Sequence, residues 1–192
     1  MGQVEPPLLS SANAVNVIAA QLVAATPPAG VRTKIVAIDG LGGAGKTTLS
    51  AALSTALGGA PVVHTDDFAS WEEPLGWWQR MLTELLVPLA EGRCARFRRS
   101  DWERHALGDW CEVEPAERVI VEGVSSSREA FRPYLTVTVW VDTPEPERLR
   151  RGLQRDGDHA LALWQEWMAS EDDYVAREQP QRHAQVLVSG TR

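Results

Sequence analysis

The chain has 192 residues, 44% hydrophobic and 23% charged, so it can bury a core and lies outside the disordered, collagen-like and disulfide-rich classes. A formal net charge of −7 repels a polyphosphate backbone, so nucleic acid is not an expected partner. The basic runs Arg96-Phe97-Arg98-Arg99 and Arg148 to Arg155 suit a small anion better.

Met1-Gly2-Gln3-Val4-Glu5-Pro6-Pro7 lacks the basic start of a signal peptide, and no apolar run approaches the ~18–20 residues of a membrane span. Cys94 and Cys111 stand in no C-x-x-C or zinc-ligand spacing, which fits reduced thiols. The expectation is one cytoplasmic domain over residues 1–192 with no membrane partner. Ser10-Ser11 can cap an amphipathic helix to about Ala25, with Val15, Ile18, Leu22 and Val23 at helical spacing. Thr33 to Asp39 is then a nearly continuous apolar run, as in a strand covered on both faces. A Gly-rich turn and the helix-forming run Lys46 to Leu57 follow.

Further strands are predicted at Pro61 to Thr65, Arg118 to Glu122, Leu135 to Asp142 and Gln185 to Ser189. Helical patterns occupy about Leu75 to Glu91, Pro144 to Arg155 and His159 to Arg177. Alternation of this kind predicts an α/β fold with a parallel sheet between helices. Ligands of such sheets collect beyond the carboxyl ends of the strands, where Asp39, Asp66, Glu122 and Asp142 stand.

Gly40-Leu41-Gly42-Gly43-Ala44-Gly45-Lys46-Thr47 matches G-x-x-x-x-G-K-[ST], with a strand before it and a helix after. Glycines let the backbone turn its amides inward, and the helix adds its positive N-terminal dipole, forming a nest for phosphate. The pattern calls for ATP and Mg²⁺. Gly40, Gly42, Gly43, Ala44 and Gly45 shape the loop, and Lys46 reaches the β- and γ-phosphates. Thr47 offers its hydroxyl to Mg²⁺, and Thr48 stands on the α-phosphate side. Neither the N/T-K-x-D base-reading segment of Ras-type GTPases nor the L-S-G-G-Q of ABC ATPases is present.

His64-Thr65-Asp66-Asp67-Phe68 closes the second strand with two carboxylates, one able to take a proton from a hydroxyl and the other to order Mg²⁺ or its waters. Glu122 ends another strand, where it could hold a magnesium water or cap a turn. With these motifs in order, the sequence from Lys34 to Thr191 resembles the uridine kinase-like branch of the P-loop nucleoside and small-molecule kinases. The residues that carry the resemblance are Ile38 to Thr48, Asp66-Asp67-Phe68, Val121-Glu122-Gly123 and Arg148 to Asp156.

The resemblance implies a three-layer P-loop NTPase fold with a five-stranded parallel sheet, an acceptor-side excursion at about 68–115 and a lid at about 148–160. It implies ATP-dependent transfer of the γ-phosphoryl to a small-molecule acceptor, a nucleoside or another alcohol. Asp66 falls on the catalytic base, with a share in the metal site, and Asp67 and Phe68 on the acceptor side. Arg148 and Arg151 match lid arginines, with Arg155 one turn on towards the nucleotide. Spacing at i, i+3 and i+7 independently puts these three cations on one helix face, where they can neutralise charge on a transferring phosphoryl.

Ser100-Asp101-Trp102-Glu103-Arg104-His105 is the counterpart of the family's Y-D-F-x-x-H segment, keeping Asp101, an aromatic at Trp102 and His105 while Ser100 replaces the Tyr. The Asp that usually follows a Pro and reads ribose hydroxyls is here Leu75, after Pro74. Trp71, Trp77, Trp78, Trp102 and Trp110 could stack a flat acceptor or pack this excursion on the sheet. Trp140, Trp164 and Trp167 fall within strand or helix periodicity and read as core, and His64 and His159 receive no role.

Overall fold

The computed structural model describes residues 6–70 and 75–191. Trp71 and Pro74 lie outside them. The chain opens with strand β1 (Leu8–Ser10) and helix α1 (Ser11–Ala24), then strand β2 (Lys34–Asp39) and helix α2 (Lys46–Ala56). Strand β3 (Val62–His64) runs into a single 3-10 turn, Thr65–Asp67. Helices α3 (Trp78–Met81) and α4 (Val87–Ala90) are joined by a π-helical stretch, Leu82–Leu86. Pro88, in the first turn of α4, has no N–H to give the carbonyl one turn back, so the α ladder cannot pass through it and the expected single helix is broken.

Strands β4 (Ala95–Asp101) and β5 (Ala106–Val113) form an antiparallel hairpin that the sequence reading left as an excursion. Strand β6 (Arg118–Glu122), a 3-10 segment Glu129–Tyr134 and strand β7 (Val137–Asp142) follow. The chain then forms α5 (Glu145–Asp156), a 3-10 turn Asp158–Ala160, α6 (Leu161–Glu178), α7 (Pro180–His183) and strand β8 (Val186–Ser189).

The main sheet is all parallel with six strands in the order β1-β8-β7-β2-β6-β3, against five expected. The added strand is β1, pairing Leu8 to Leu187 and Ser10 to Ser189. Ser10 precedes α1 without a side-chain capping bond, and the Ser11 hydroxyl instead donates to the Ser189 carbonyl at 3.0 Å. Successive strand residues face opposite sides. Ile35, Ala37, Val119 and Val121 pack under α3, α4 and the base of the hairpin, with Phe68, Trp77, Met81, Phe97 and Phe131. Val36, Ile38, Ile120, Val139 and Val188 pack against Ile18 and Leu22 of α1 and Leu49 and Leu53 of α2. Among the described residues, no helix is long and apolar enough to cross a membrane.

Candidate nucleotide and acceptor site

β2 lies between β6 and β7, so the turn after Asp39 opens at the middle of the sheet's carboxyl edge. Asp39 itself is fully buried and contacts no ligand space. Its carboxylate accepts from the amides of Gly40 (2.7 Å), Ser125 (2.9 Å) and Ser127 (3.0 Å), the Ser127 hydroxyl (2.7 Å) and the Tyr174 hydroxyl (2.6 Å). Burial and this charge push the Tyr174 phenol upward. Asp39 thus ties the loop after β2 to the loop after β6 and to α6.

The phosphate loop requires glycine at two close approaches. A Cβ on Gly40 (φ +147°) would sit 2.6 Å from the Val141 carbonyl oxygen, and one on Gly43 (φ +75°) would sit 2.5 Å from the Arg148 carbonyl oxygen. The Ala44 amide closes a turn on the Leu41 carbonyl at 3.1 Å, and the Lys46 ammonium donates to the same oxygen at 2.9 Å. The first amides of α2 lack intrahelical acceptors and face the loop's concavity.

Gly42 to Thr48 line a cavity of about 570 Å³ together with Asp66, Trp102, Glu122, Arg151, Arg155, Trp164 and Trp167. Asp66 is exposed to this cleft but crowded by protein elsewhere. Burial raises its carboxyl above the usual range, with Glu122 adding to the rise and Lys46, His64 and Arg155 opposing it. The Thr47 hydroxyl donates to Glu122 Oε1 at 3.2 Å, and His64 Nδ1 meets the same oxygen at 2.5 Å. His64, given no role from sequence, therefore orients Glu122, and this hydrogen bond raises the imidazole above its ordinary value. The Thr47 hydroxyl and Glu122 carboxylate meet beside the phosphate loop, and Asp66 lines the same cavity; these are the hard oxygen donors that Mg²⁺ takes, so their chemistry fits the expected metal.

The residues expected on the acceptor side divide. Asp67 turns away from Asp66 to pair with Arg99 of the hairpin at 3.2 Å, and Phe68 is buried against Phe97, ring centroids 4.5 Å apart. A second cavity of about 370 Å³ is lined by Phe68, Trp77, Arg80, Ser100, Asp101, Trp102 and His105. Asp101 also accepts from the Arg104 amide and guanidinium at 3.0 and 3.2 Å. Trp102 belongs to both cavities and donates its indole N–H to the Asp66 carbonyl at 3.2 Å, so the hairpin abuts the residue at the strand end.

The three arginines expected on a lid lie on α5 and have different surroundings. Arg155 lines the large cavity, pairs with Asp156 at 2.8 Å and lies 5.6 Å from the Trp164 ring centroid. Arg151 also lines it, donating to the Gly43 and Gly190 carbonyls at 3.2 and 2.9 Å and to Glu147 at 2.8 Å. Arg148 is buried, held 3.2 Å from Glu171 with its guanidinium 3.4 Å from the Gly42 carbonyl, and does not face the cavity. Glu171 escaped the sequence reading. It is fully buried and accepts from the Gly42 amide at 2.7 Å and the Trp167 indole at 3.0 Å; burial raises its carboxyl. An acid inside the stripe Trp164, Trp167, Met168, Glu171 and Tyr174 was the available signal. Trp140 and Trp164 are buried as expected, whereas Trp167 is half-buried, 6.0 Å from Trp102 between ring centroids, and lines the cavity.

A family model described as AAA domain matches residues 36–173, from β2 into α6. The chain belongs to the AAA domain family. A search of curated proteins gave no match. Among solved structures, this AAA-domain chain is similar to a possible uridine kinase from Bacillus stearothermophilus, with TM-score 0.70 and 21% identity over 92% of this chain and 98% of that one. It is also similar to a protein provisionally named a fructose transport system kinase, from Silicibacter sp. TM1040. That match has TM-score 0.64 and 20% identity over 94% of this chain and 98% of the other. The fold implied by the uridine kinase-like motifs is therefore the fold found.

Proposed function

We propose that the chain transfers the γ-phosphoryl of ATP to a hydroxyl of a small-molecule acceptor in the cytoplasm. One observation carries the reading: Asp66, with its raised carboxyl, opens into the same cavity as Lys46 and the phosphate loop. A base must stand where the acceptor hydroxyl meets the γ-phosphate, and a carboxyl raised by burial holds a proton better than an ordinary one.

The acceptor oxygen forms the new bond to the γ-phosphorus, the bond from that phosphorus to the β,γ-bridging oxygen breaks, and the hydroxyl proton passes to Asp66. Lys46 and Arg155 face the transferring charge. Thr47 and Glu122 would hold Mg²⁺, with Asp66 near its waters; bound there, the ion neutralises phosphate charge. Trp102 and the second cavity receive the acceptor's body. With Ser100 lining that cavity where the family has Tyr, and Leu75 in place of an Asp, a non-nucleoside alcohol is the second reading.

ADP release from Mg-ATP, measured across nucleosides, sugars and other alcohols, tests the proposal. Stimulation over the ATP-only background is expected for at least one acceptor. Asp66→Asn should lower kcat by roughly 10²–10⁴ while keeping Mg-ATP binding. Tight ATP binding with no stimulated turnover would make the chain a nucleotide-binding regulator instead.

A further inference from the structure

The phosphate loop is gripped from outside by buried and half-buried side chains, Arg148 and Arg151 among them, in contacts that the motifs do not predict. Three consecutive loop carbonyls are taken by partners on or near the lid. Gly42 O receives Arg148 at 3.4 Å, Gly43 O receives Arg151 at 3.2 Å, and Ala44 O receives the Thr143 hydroxyl at 3.0 Å. A trans peptide sets each C=O opposite to the following N–H. Holding the Gly42 and Ala44 carbonyls on the lid side thus aims the Gly43 and Gly45 amides the other way, towards the concavity at the start of α2.

Glu171 is the anchor of this grip. Its two oxygens hold Arg148 on one side and the Gly42 amide and Trp167 indole on the other. The two peptide groups that flank the Gly42 Cα are thereby held, one by its N–H and the other by its C=O, by one buried ion pair. There is no slack at this point, since a Cβ on Gly42 would lie 3.0 Å from both Glu171 Oε1 and the Trp164 ring.

We infer that Glu171 and Arg148 are positioning residues for nucleotide binding: they pre-set the peptide orientations of the phosphate loop, and Arg148 does not act on the transferring phosphoryl. Pre-set donors take up an anion without reorganisation on binding. Loop amides cradle the α- and β-phosphates, which ADP and ATP share. A defect in orientation therefore weakens both nucleotides alike, whereas the loss of a cation facing the γ-phosphoryl weakens ATP alone.

This inference rests on the nucleotide-binding half of the proposed function. Its test uses the full chain, with Mg-ADP and Mg-ATP affinities from calorimetry and exchange of the Gly42 amide by NMR without nucleotide. In Glu171→Gln the amide group cannot serve Arg148, so the grip on Gly42 loosens. Both affinities should fall by the same factor, about 10- to 100-fold as expected for losing a charge-assisted hydrogen bond, and the Gly42 amide should lose protection. Gly42→Ala, which keeps every charged group of the grip but sets a methyl against Glu171 Oε1 and the Trp164 ring, should show the same equal losses, and it carries the test if Glu171→Gln fails to fold.

A folded variant that binds ADP as the wild type does overturns the inference. Tighter binding of both nucleotides overturns it too, because Glu171 would then act only through its charge. A loss confined to ATP returns Arg148 to the γ-phosphoryl. A wild-type chain that takes up no Mg-ADP sinks the proposed function, whereas normal uptake with unaffected variants sinks only this inference.

Discussion

Replacing Asp39 with Asn keeps the shape of the side chain and removes its charge where five donors converge. The amide nitrogen must take one of two places. At Oδ1 it meets the Gly40 and Ser125 amides, neither of which can accept. At Oδ2 it meets the Ser127 amide, although the Ser127 and Tyr174 hydroxyls can rotate to accept. Either way one or two backbone donors lose their partner in a fully buried site, and the remaining bonds lose their charge assistance. Hydrogen bonds to charged groups contribute about 1.5–3 kcal/mol each, so a loss of about 3–5 kcal/mol is expected, a large share of a typical domain's 5–15 kcal/mol. Urea denaturation should show the midpoint falling at unchanged slope. Tyr174→Phe, which removes one partner, should lose about 1.5–3 kcal/mol. An Asp39→Asn chain within about 1 kcal/mol of wild type would refute the hub.

His64 supplies a pH-dependent prediction. Its hydrogen bond to Glu122 raises the folded imidazole, against the opposing effect of burial, while an unfolded His titrates near ~6.5. The stabilisation is fully present below that unfolded value and is lost as pH rises through the higher folded one. The stability gap between wild type and His64→Asn should therefore narrow as pH rises from about 6.5 through the higher folded value. It should stay under about 1 kcal/mol because the imidazole is half exposed, and a gap independent of pH would refute it. Gly152→Ala would drive a Cβ into the Trp164 indole and part α5 from α6. Overpacking of about 1–3 kcal/mol should exceed the roughly 1 kcal/mol of helix propensity gained. Thermal denaturation at or above the wild-type midpoint would contradict that packing.

Strands buried on both faces write themselves into sequence as continuous apolar runs, which is why β2, β6, β7 and β8 were legible. β1 is three residues long at a sheet edge and leaves no periodicity to read. The hairpin was missed because its inward residues, such as Ala95 and Phe97, alternate with arginines in a run that reads equally well as a cluster for a small anion. At the site, the phosphate loop was legible because one turn contains all of it. The helical spacing of Arg148, Arg151 and Arg155 gave their common face, but their partners come from elsewhere in the chain. Glu171 stands 129 residues from Gly42, and nothing local announces that contact. Trp167 shows the same limit: helical period says which side of α6 it occupies, and only the approach of the hairpin makes that side a cavity wall.

Among the described residues, β1 pairs only with β8, and the Ser11–Ser189 bond beside that ladder joins residues 178 positions apart. On a ribosome adding about 5–20 residues per second, the earliest strand of the sheet waits roughly 10–35 s for its neighbour to be made. The central strands β2, β6 and β7 become available before then. Nascent chains should thus pass through a stage with the central strands of the sheet paired and one flank still open, the stage at which a chaperone would find β1.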